Sequence, residues 1–477
     1  MESSRPTLPN LKPSFAEQAL SRVAGAPLIE GNSVRLLQDA RENYPAWLAA
    51  VRAAKHHVHF ETFIFHEDEV GQEFADVFME KAREGVRVRM IYDWLGCLGN
   101  ASWGLWKRLR AAGVETRAYN PPRLESPLGW LSRDHRKMLS VDAEVGFVAG
   151  LCIGKAWVGD PERNVVPWRD TGVELRGPAV AEIERAFGQM WASIGSPIPI
   201  EEQLAGPSLE EAGSTNVRIV ASLPATAWMI RTDQLVAALA QKRLWLADAY
   251  YAGTPSYVQA LRSAAMDDVD VRLLVPNSTD IPVLRPLSRS GYRTLLEAGV
   301  RVFEWNGPMM HAKTAVADGH WARVGSTNLN LLSWLGNCEL DVIIEDESFA
   351  GEMEAAYLED LTNSTEIVLD RRHKVRVSRE GPTRRRNRPG SARRAAAGAV
   401  RLSNAIGAAI TSRRVLEPVE AKVAIWCSLL LLAIAVLFAV FPRVLIYPLV
   451  LLLVWIALGL FYRGYRLYRK KKRHRGE

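Results

Sequence analysis

The sequence predicts an α/β protein, an α+β sandwich of two pseudo-symmetric halves that share one active site, followed by a transmembrane helical hairpin. Three observations predict it. The word His-x-Lys-x4-Asp is written twice, as His135, Lys137 and Asp142 and as His311, Lys313 and Asp318. The segments ahead of the two copies match. Two apolar runs of 19 residues, Val423 to Phe441 and Val444 to Tyr462, stand near the C-terminus with only Pro442 and Arg443 between them.

The repeat sets the order of elements. In each half a helical pattern comes first: Phe74, Val77, Phe78 and Ala82, then Tyr257, Val258, Leu261 and Ala265. Thr254-Pro255 reads as the cap and first turn of the second helix. Alternating, β-branched runs follow, Val86 to Tyr92 and Val269 to Val275, and these read as strands. Leu109 to Val114 then answers Leu295 to Val300, and Asn120-Pro121-Pro122 answers Asn306-Gly307-Pro308. Such similarity beyond the motif makes an internal repeat. The halves differ in one place: Gly113 to His135 is 22 residues and Gly299 to His311 is 12. The extra loop holds Leu124, Pro127, Leu128, Trp130 and Leu131, and predicts either ordinary packing or an apolar lip that touches lipid.

Within each motif, residues at i and i+2 of an extended strand share a face, so each histidine should lie beside its lysine. An imidazole next to a fixed cation suits phosphoryl transfer, in which a phosphate needs its charge balanced while a neighbour attacks or protonates. Asp142 and Asp318 complete the motif and are counted with the catalytic set. Both also fall at corners between strands, where a carboxylate bonds local backbone N–H groups.

Residues 1–370 carry 36 Lys/Arg and 49 Asp/Glu, a net charge of −13, whereas 371–477 carry 24 and 4, a net +20. An acidic globular part argues against a nucleic acid held along its surface. Residues 371–422 hold 15 Lys/Arg and three acids, a solvated basic linker suited to an anionic membrane surface. A run of 19 apolar residues nearly spans a hydrocarbon core of roughly 30 Å. Lys/Arg flank the runs on both outer sides, so the positive-inside rule places the globular part and the C-terminus in the cytoplasm of a multi-pass inner-membrane protein. Met1 to Pro9 has no apolar h-region and predicts no secretory leader. Cys97, Cys152, Cys338 and Cys427 show no metal spacing, and neither a metal nor a cofactor is implied. His57 and His59, sharing a strand face, are expected to flank a core strand. The expected divisions are 1–200 and 201–370 for the halves, 371–422 for the linker, 423–462 for the hairpin and 463–477 for a basic tail.

With these motifs the chain resembles the phospholipase D superfamily and, within it, the bacterial cardiolipin synthase group, over roughly residues 25–370. The similar segments are Gly31 to Leu37, Phe60 to Phe65 and Gly85 to Arg89 in the first half, then Trp168 to Thr171 and Gly177 to Val180. In the second half they are Gly325 to Asn330, with Ser333, Asn337 and Glu339. One departure is plain: the group's first motif usually continues to Gly-Gly-x-Asn, and here the chain reads Ala149-Gly150-Leu151-Cys152, with Cys152 in place of the phosphate-facing asparagine.

The resemblance implies two phospholipase D-like halves and a two-step displacement at phosphorus. One histidine attacks to form a phosphohistidine, and the other protonates the leaving alcohol and deprotonates the incoming one. The sequence does not order them; His135 is taken as nucleophile and His311 as acid/base. Lys137, Lys313 and Asn328 would neutralise the phosphate oxygens, with Ser326 and Asn328 as phosphate-binding donors. Asp170 and Glu339 would orient the imidazoles, against a plainer reading as strand carboxylates. The implied substrates are phospholipids, phosphatidylglycerol first, giving cardiolipin. A phospholipase D or nuclease hydrolase and an inactive membrane scaffold are the alternatives. The oligomeric state is left open.

Overall fold

The computed structural model describes residues 15–122, 131–163, 165–202, 210–281, 284–369 and 375–377, with scattered positions from 432 to 462. The tail, the loop tip with Trp130 and all of the expected linker except 375–377 lie outside the described residues. So does most of the expected hairpin, 423–462. No helix among the described residues is long and apolar enough to cross a membrane.

The first half contributes β1 (Ile29–Gln38), β2 (His57–Thr62), β3 (Arg87–Asp93), β4 (Glu115–Tyr119), β5 (Met138–Val141), β6 (Val145–Ala149) and β7 (Thr171–Arg176). The second contributes β8 (Thr215–Ser222), β9 (Arg243–Ala247), β10 (Asp270–Pro276), β11 (Arg301–Trp305), β12 (Thr314–Ala317), β13 (Trp321–Gly325) and β14 (Glu339–Glu345). Two more strands, β15 (Ser364–Leu369) and β16 (Val375–Val377), extend its edge. Their order across the sheet is β16-β15-β11-β10-β9-β12-β13-β14-β8-β1-β7-β6-β5-β2-β3-β4. Read outward from the β1–β8 seam, the first seven strands on each side follow the same order. The repeat is therefore structural.

Within each half, three strands run parallel, β2-β3-β4 and β9-β10-β11, and the motif strands pair antiparallel to the first of each trio. Parallel neighbours need crossover connections, and helices supply them. The helix Glu69–Arg83 starts at Asp68, whose carboxylate accepts the Gly71 N–H at 3.0 Å, and it buries Phe74, Val77 and Phe78. The helix Pro255–Met266 starts at Thr254, whose hydroxyl accepts the Tyr257 N–H at 3.4 Å. Both match the periodicity, and Pro255 sits where its missing N–H costs nothing.

Hydrogen bonding runs through β1 and β8, yet β6 and β7 also pack against β13 and β14, so the halves face one another. A shared core fills the space between, with Val148, Val173, Val324 and Val342 from the strands. Phe187 and Phe349 join them from the helices Val180–Ser193 and Glu347–Thr362. Burying one such side chain contributes ~1.5–3 kcal/mol. This core holds the two motifs against each other.

One expectation needs correction. The His-x-Lys pairs do not lie inside strands: β5 starts at Met138 and β12 at Thr314, just past the lysines. The His135 N–H donates to the Cys338 carbonyl at 2.9 Å and the His311 N–H to the Arg169 carbonyl at 2.7 Å. The backbone N–H of each motif histidine is thus held by the opposite half.

Candidate active site

The same cross-over places the side chains. Cys338 and Arg169 immediately precede Glu339 and Asp170. The His135 Nδ1 lies 2.8 Å from the Glu339 carboxylate, and the His311 Nδ1 lies 2.6 Å from that of Asp170. All four side chains are buried. An anionic carboxylate can only accept, so each imidazole carries its proton on Nδ1 and its lone pair on Nε2, which at His311 lies 3.1 Å from the Lys313 Nζ. The strand carboxylates of the plainer reading are thus in contact with the histidines.

Secondary donors fix the carboxylates. Glu339 accepts the Ser326 hydroxyl at 2.5 Å and the Asn337 amide at 3.2 Å. Asp170 accepts the Trp157 indole N–H at 2.9 Å and its neighbour Thr171 N–H at 2.9 Å. Gly150 is required beside Asp170, since a Cβ there would stand 2.1 Å from the carboxylate. The equivalent position in the second half, one past the end of β13, is Ser326, which reaches its longer glutamate by a hydrogen bond.

Electrostatics follow from burial. Desolvation pulls the His135 imidazole down to about 4 and the His311 imidazole to about 3, with the lysines adding to the effect. Each histidine feels the lysine of the opposite half as well as its own, so the two motifs share one field. Burial works to raise Asp170, but His311 and Lys313 outweigh it and hold the carboxyl at about 2. Glu339, likewise opposed by burial, is held low by His135 and Lys137. Burial lowers Lys313 to about 8. At neutral pH the site therefore holds two neutral imidazoles, two carboxylates and cationic lysine. Lys137 and Lys313 each donate to the carbonyl of their own histidine, and the Lys313 Nζ lies 3.0 and 3.1 Å from the two ring nitrogens of His311.

Three sequence expectations change. Asp142 accepts the backbone N–H groups of Lys55, His56 and His57 at 2.7–2.8 Å, and Asp318 those of Gln241, Lys242 and Arg243 at 2.8–2.9 Å. Each lies just past the strand whose other end carries the motif, about 13 Å away for four residues of strand. They sit at φ of 54° and 51° and fasten corners, so they belong to the scaffold rather than beside the imidazoles. Ser326 is also displaced from its expected role: its proton goes to Glu339 and its oxygen accepts the Leu340 N–H at 2.9 Å, which leaves it orienting the carboxylate. Asn328 is buried and its side-chain oxygen has no partner among the described residues, so this amide is less committed to the scaffold.

Cys152 occupies the position in the first half that Asn328 holds in the second, three residues beyond β6 and β13 respectively. It is buried, and burial raises its thiol while Lys137 and Lys313 pull it down. Burial thus keeps the group a thiol, in the field of both cations.

Four aromatic rings also line the histidines; Phe63 and Trp168 fall in segments similar to the family, whereas Trp157 and Tyr250 carried no sequence signal. Trp157 and Trp168 place their rings 5.5 and 5.6 Å from His311, Tyr250 lies at 5.9 Å, and Phe63 lies 5.0 Å from His135. The middle residue of the first motif, Arg136, turns away and donates to the carbonyls of Glu339, Ala186 and Ser222 at 3.2 Å. Away from the site, His57 and His59 of β2 face Glu184, whose two carboxylate oxygens lie 3.3 and 2.7 Å from the His57 Nε2 and the His59 Nδ1. Among the described residues this trio gathers potential metal-ligand atoms within 4.8 Å of one another, already joined by hydrogen bonds.

The geometry can be set beside known proteins. A family model described as "Cardiolipin synthase, PLD-like domain" matches residues 48–191 and 236–361. The cardiolipin synthase of Alkalihalophilus pseudofirmus is 34% identical over 349 residues, covering 72% of this chain and 68% of its own length. Cardiolipin synthase 2 of Bacillus anthracis is 33% identical over 351 residues, covering 72% and 68%. Among solved structures, phosphatidylserine synthase from Haemophilus influenzae superposes with a TM-score of 0.58 at 14% identity, covering 74% of this chain and 92% of its own, a likeness of fold.

Proposed function

This chain belongs to the cardiolipin synthases of the phospholipase D-like family, and from that premise we propose how it works. It is a phosphatidyltransferase that makes cardiolipin. The neutral His135 attacks the phosphorus of one phosphatidylglycerol through its free Nε2. With the anionic phosphodiester bound, His311 takes up a proton from solvent on Nε2; the bond to the glycerol headgroup breaks as that proton passes to the leaving oxygen, and a phosphatidyl-histidine remains. The headgroup hydroxyl of a second phosphatidylglycerol then loses its proton to His311 and attacks, which releases His135 and forms cardiolipin.

One observation carries this reading: two buried imidazoles, each with a carboxylate on Nδ1, face the same pair of lysines. The carboxylates stabilise imidazolium when it forms, and Lys137, Lys313 and the Asn328 amide balance the phosphate oxygens. His311 is assigned as acid/base and His135 as nucleophile; the Lys313 ammonium beside the His311 ring opposes its protonation in the empty site. An anionic phosphodiester entering the site raises the affinity of His311 for the proton it must donate.

Membrane association follows from the lipid substrate. The 423–462 hairpin is taken to anchor the chain, with the catalytic halves (1–200 and 201–370), the 371–422 linker and the 463–477 tail on the cytoplasmic side. The test is to quench turnover of phosphorus-labelled phosphatidylglycerol with denaturant. Label should stay on the protein in an acid-labile, alkali-stable linkage, and His135→Ala should abolish it. Label retained by His135→Ala and lost in His311→Ala would reverse the two roles.

A further inference from the structure

Large apolar side chains stand exposed at the end of the strands that carries the motifs, on both halves. Trp103 is 80% exposed, Leu98 56% and Leu131 51%. On the other side stand Leu332, Leu335 and Leu223, at 38%, 39% and 37%. A single exposed apolar residue is ordinary, but several at the motif-bearing end of both halves mark a contact surface.

Their supports tie them to the motifs. Asp93 caps the short helix that ends in Leu98 by accepting the Gly96 N–H at 2.7 Å, and its other oxygen accepts the Asp134 N–H at 2.9 Å, one residue before His135. Trp103 opens the helix Trp103–Ala111 directly after Ser102, whose hydroxyl accepts the Leu105 N–H at 3.1 Å and whose N–H is held by Glu67 at 2.8 Å. The turn behind it, Leu105 and Trp106, is buried, so the ring of Trp103 is presented outward from a fixed base. In the second half, the Asn330 carboxamide accepts the Ser333 N–H at 3.0 Å and caps the helix Leu331–Leu335, which begins three residues after Asn328. Ser333 and Trp334 turn inward and Leu332 and Leu335 outward. The Ala225 N–H bonds the Leu335 carbonyl at 3.0 Å, which brings the Leu223 turn alongside.

We propose that these side chains seat the mouth of the site in the acyl–headgroup boundary of the bilayer, with Trp103 and Leu98 on one lip and Leu332 and Leu335 on the other. The inference rests on the phospholipid reading above. The imidazoles are buried below the mouth, so a phosphodiester must leave the headgroup layer to reach them while its acyl chains stay in an apolar medium. An apolar lip against the membrane supplies that continuity. The net charge of −13 over residues 1–370 opposes attraction to anionic lipid, which favours a contact made by apolar insertion.

The test uses the full chain, carrying Cys427→Ser, reconstituted in phosphatidylglycerol/phosphatidylethanolamine vesicles. An environment-sensitive fluorophore is placed on Trp103→Cys or, as a control, on Met266→Cys, an exposed apolar site (67%) that precedes β10 at the opposite end of the strands. The label at 103 should shift to the blue and be quenched by lipids spin-labelled on their acyl chains, and the label at 266 should not. Leu332→Glu/Leu335→Glu should lower turnover of long-chain phosphatidylglycerol at least tenfold and leave turnover of a soluble short-chain phosphatidylglycerol within twofold. A label at 103 as wet as that at 266 overturns the proposal. So does shielding that needs a second copy or the 423–462 segment but no lipid, or an equal loss on both substrates. If 103 is quenched by lipid while the wild-type chain transfers nothing from phosphatidylglycerol, the functional reading fails and the membrane face stands.

Discussion

The Asp170 carboxylate and the His311 Nδ1, 141 residues apart in the chain, are bonded at 2.6 Å across the two halves. His135 and Glu339 make the same crossing in the other direction. Neither half can therefore orient its own histidine, and the repeat yields one site rather than two. Asp170→Asn offers Nδ1 an amide that can donate as well as accept, which removes the charge that stabilises imidazolium and loosens the tautomer. Turnover of phosphatidylglycerol by Asp170→Asn and by Glu339→Gln should fall about 10²–10⁴-fold with an unchanged circular dichroism spectrum. Near-normal turnover in either would remove that carboxylate from the mechanism.

Lys313 sets an alkaline limit. Burial holds its ammonium near 8, so the cation facing the phosphate is lost as pH rises through that value. The rate of the wild-type chain should decline above about pH 8. Lys313→Arg, whose charge does not titrate there, should be slower but flat to higher pH. A decline unchanged in Lys313→Arg would assign the limb to another group.

Burial of the two imidazoles also links folding to acid. Their ordinary value is 6.5, and the fold holds His135 near 4 and His311 near 3. Between those values the unfolded chain binds protons that the folded chain does not. The stability contributed by the neutral imidazoles is thus complete above pH 6.5 and is lost as pH falls toward 3, by up to about 1.4 kcal/mol per pH unit for each. Urea midpoints of the detergent-solubilised chain should drop across this range, and His135→Gln/His311→Gln should flatten the drop. An equally steep drop in the double variant would place the acid sensitivity elsewhere.

Asp142 and Asp318 should behave as fasteners. Each carboxylate takes three backbone N–H groups at a corner whose positive φ suits asparagine as well as aspartate. Asparagine offers one oxygen, so each Asp→Asn change should cost ~1–3 kcal/mol in denaturant unfolding while folded protein keeps its turnover to within about threefold. A large loss of rate without loss of stability would return them to the chemistry.

Gly150 tests the fit around Asp170. Gly150→Ala would drive a Cβ to within 2.1 Å of the carboxylate and push it off His311. The expected outcome is a loss of turnover of about tenfold or more, with KM for lipid little changed. Full activity would show that Asp170 can be displaced without consequence.

The repeat was legible because its signals are local. His-x-Lys-x4-Asp, the helical period ahead of it and Thr254-Pro255 all act within a few residues; the helices appear where periodicity placed them, while the His-x-Lys pairs stand just ahead of their strands. The partners of the histidines were legible only through resemblance, since nothing near Asp170 or Glu339 in sequence points to an imidazole so many residues away. The backbone crossing through Cys338 and Arg169 and the indole of Trp157 left no sequence signal, because they arise from how the halves pack. Ser326 was misread for the same reason: a hydroxyl in a phosphate-binding pattern looks like a donor to ligand until the fold sets a buried carboxylate beside it.

The account turns on transfer from one lipid to another, and product analysis tests it most directly. The full chain in vesicles containing phosphatidylglycerol, labelled in both acyl and headgroup positions, should convert two molecules into one cardiolipin and one free glycerol. Accumulation of phosphatidic acid with no cardiolipin would contradict the account and make the enzyme a hydrolase.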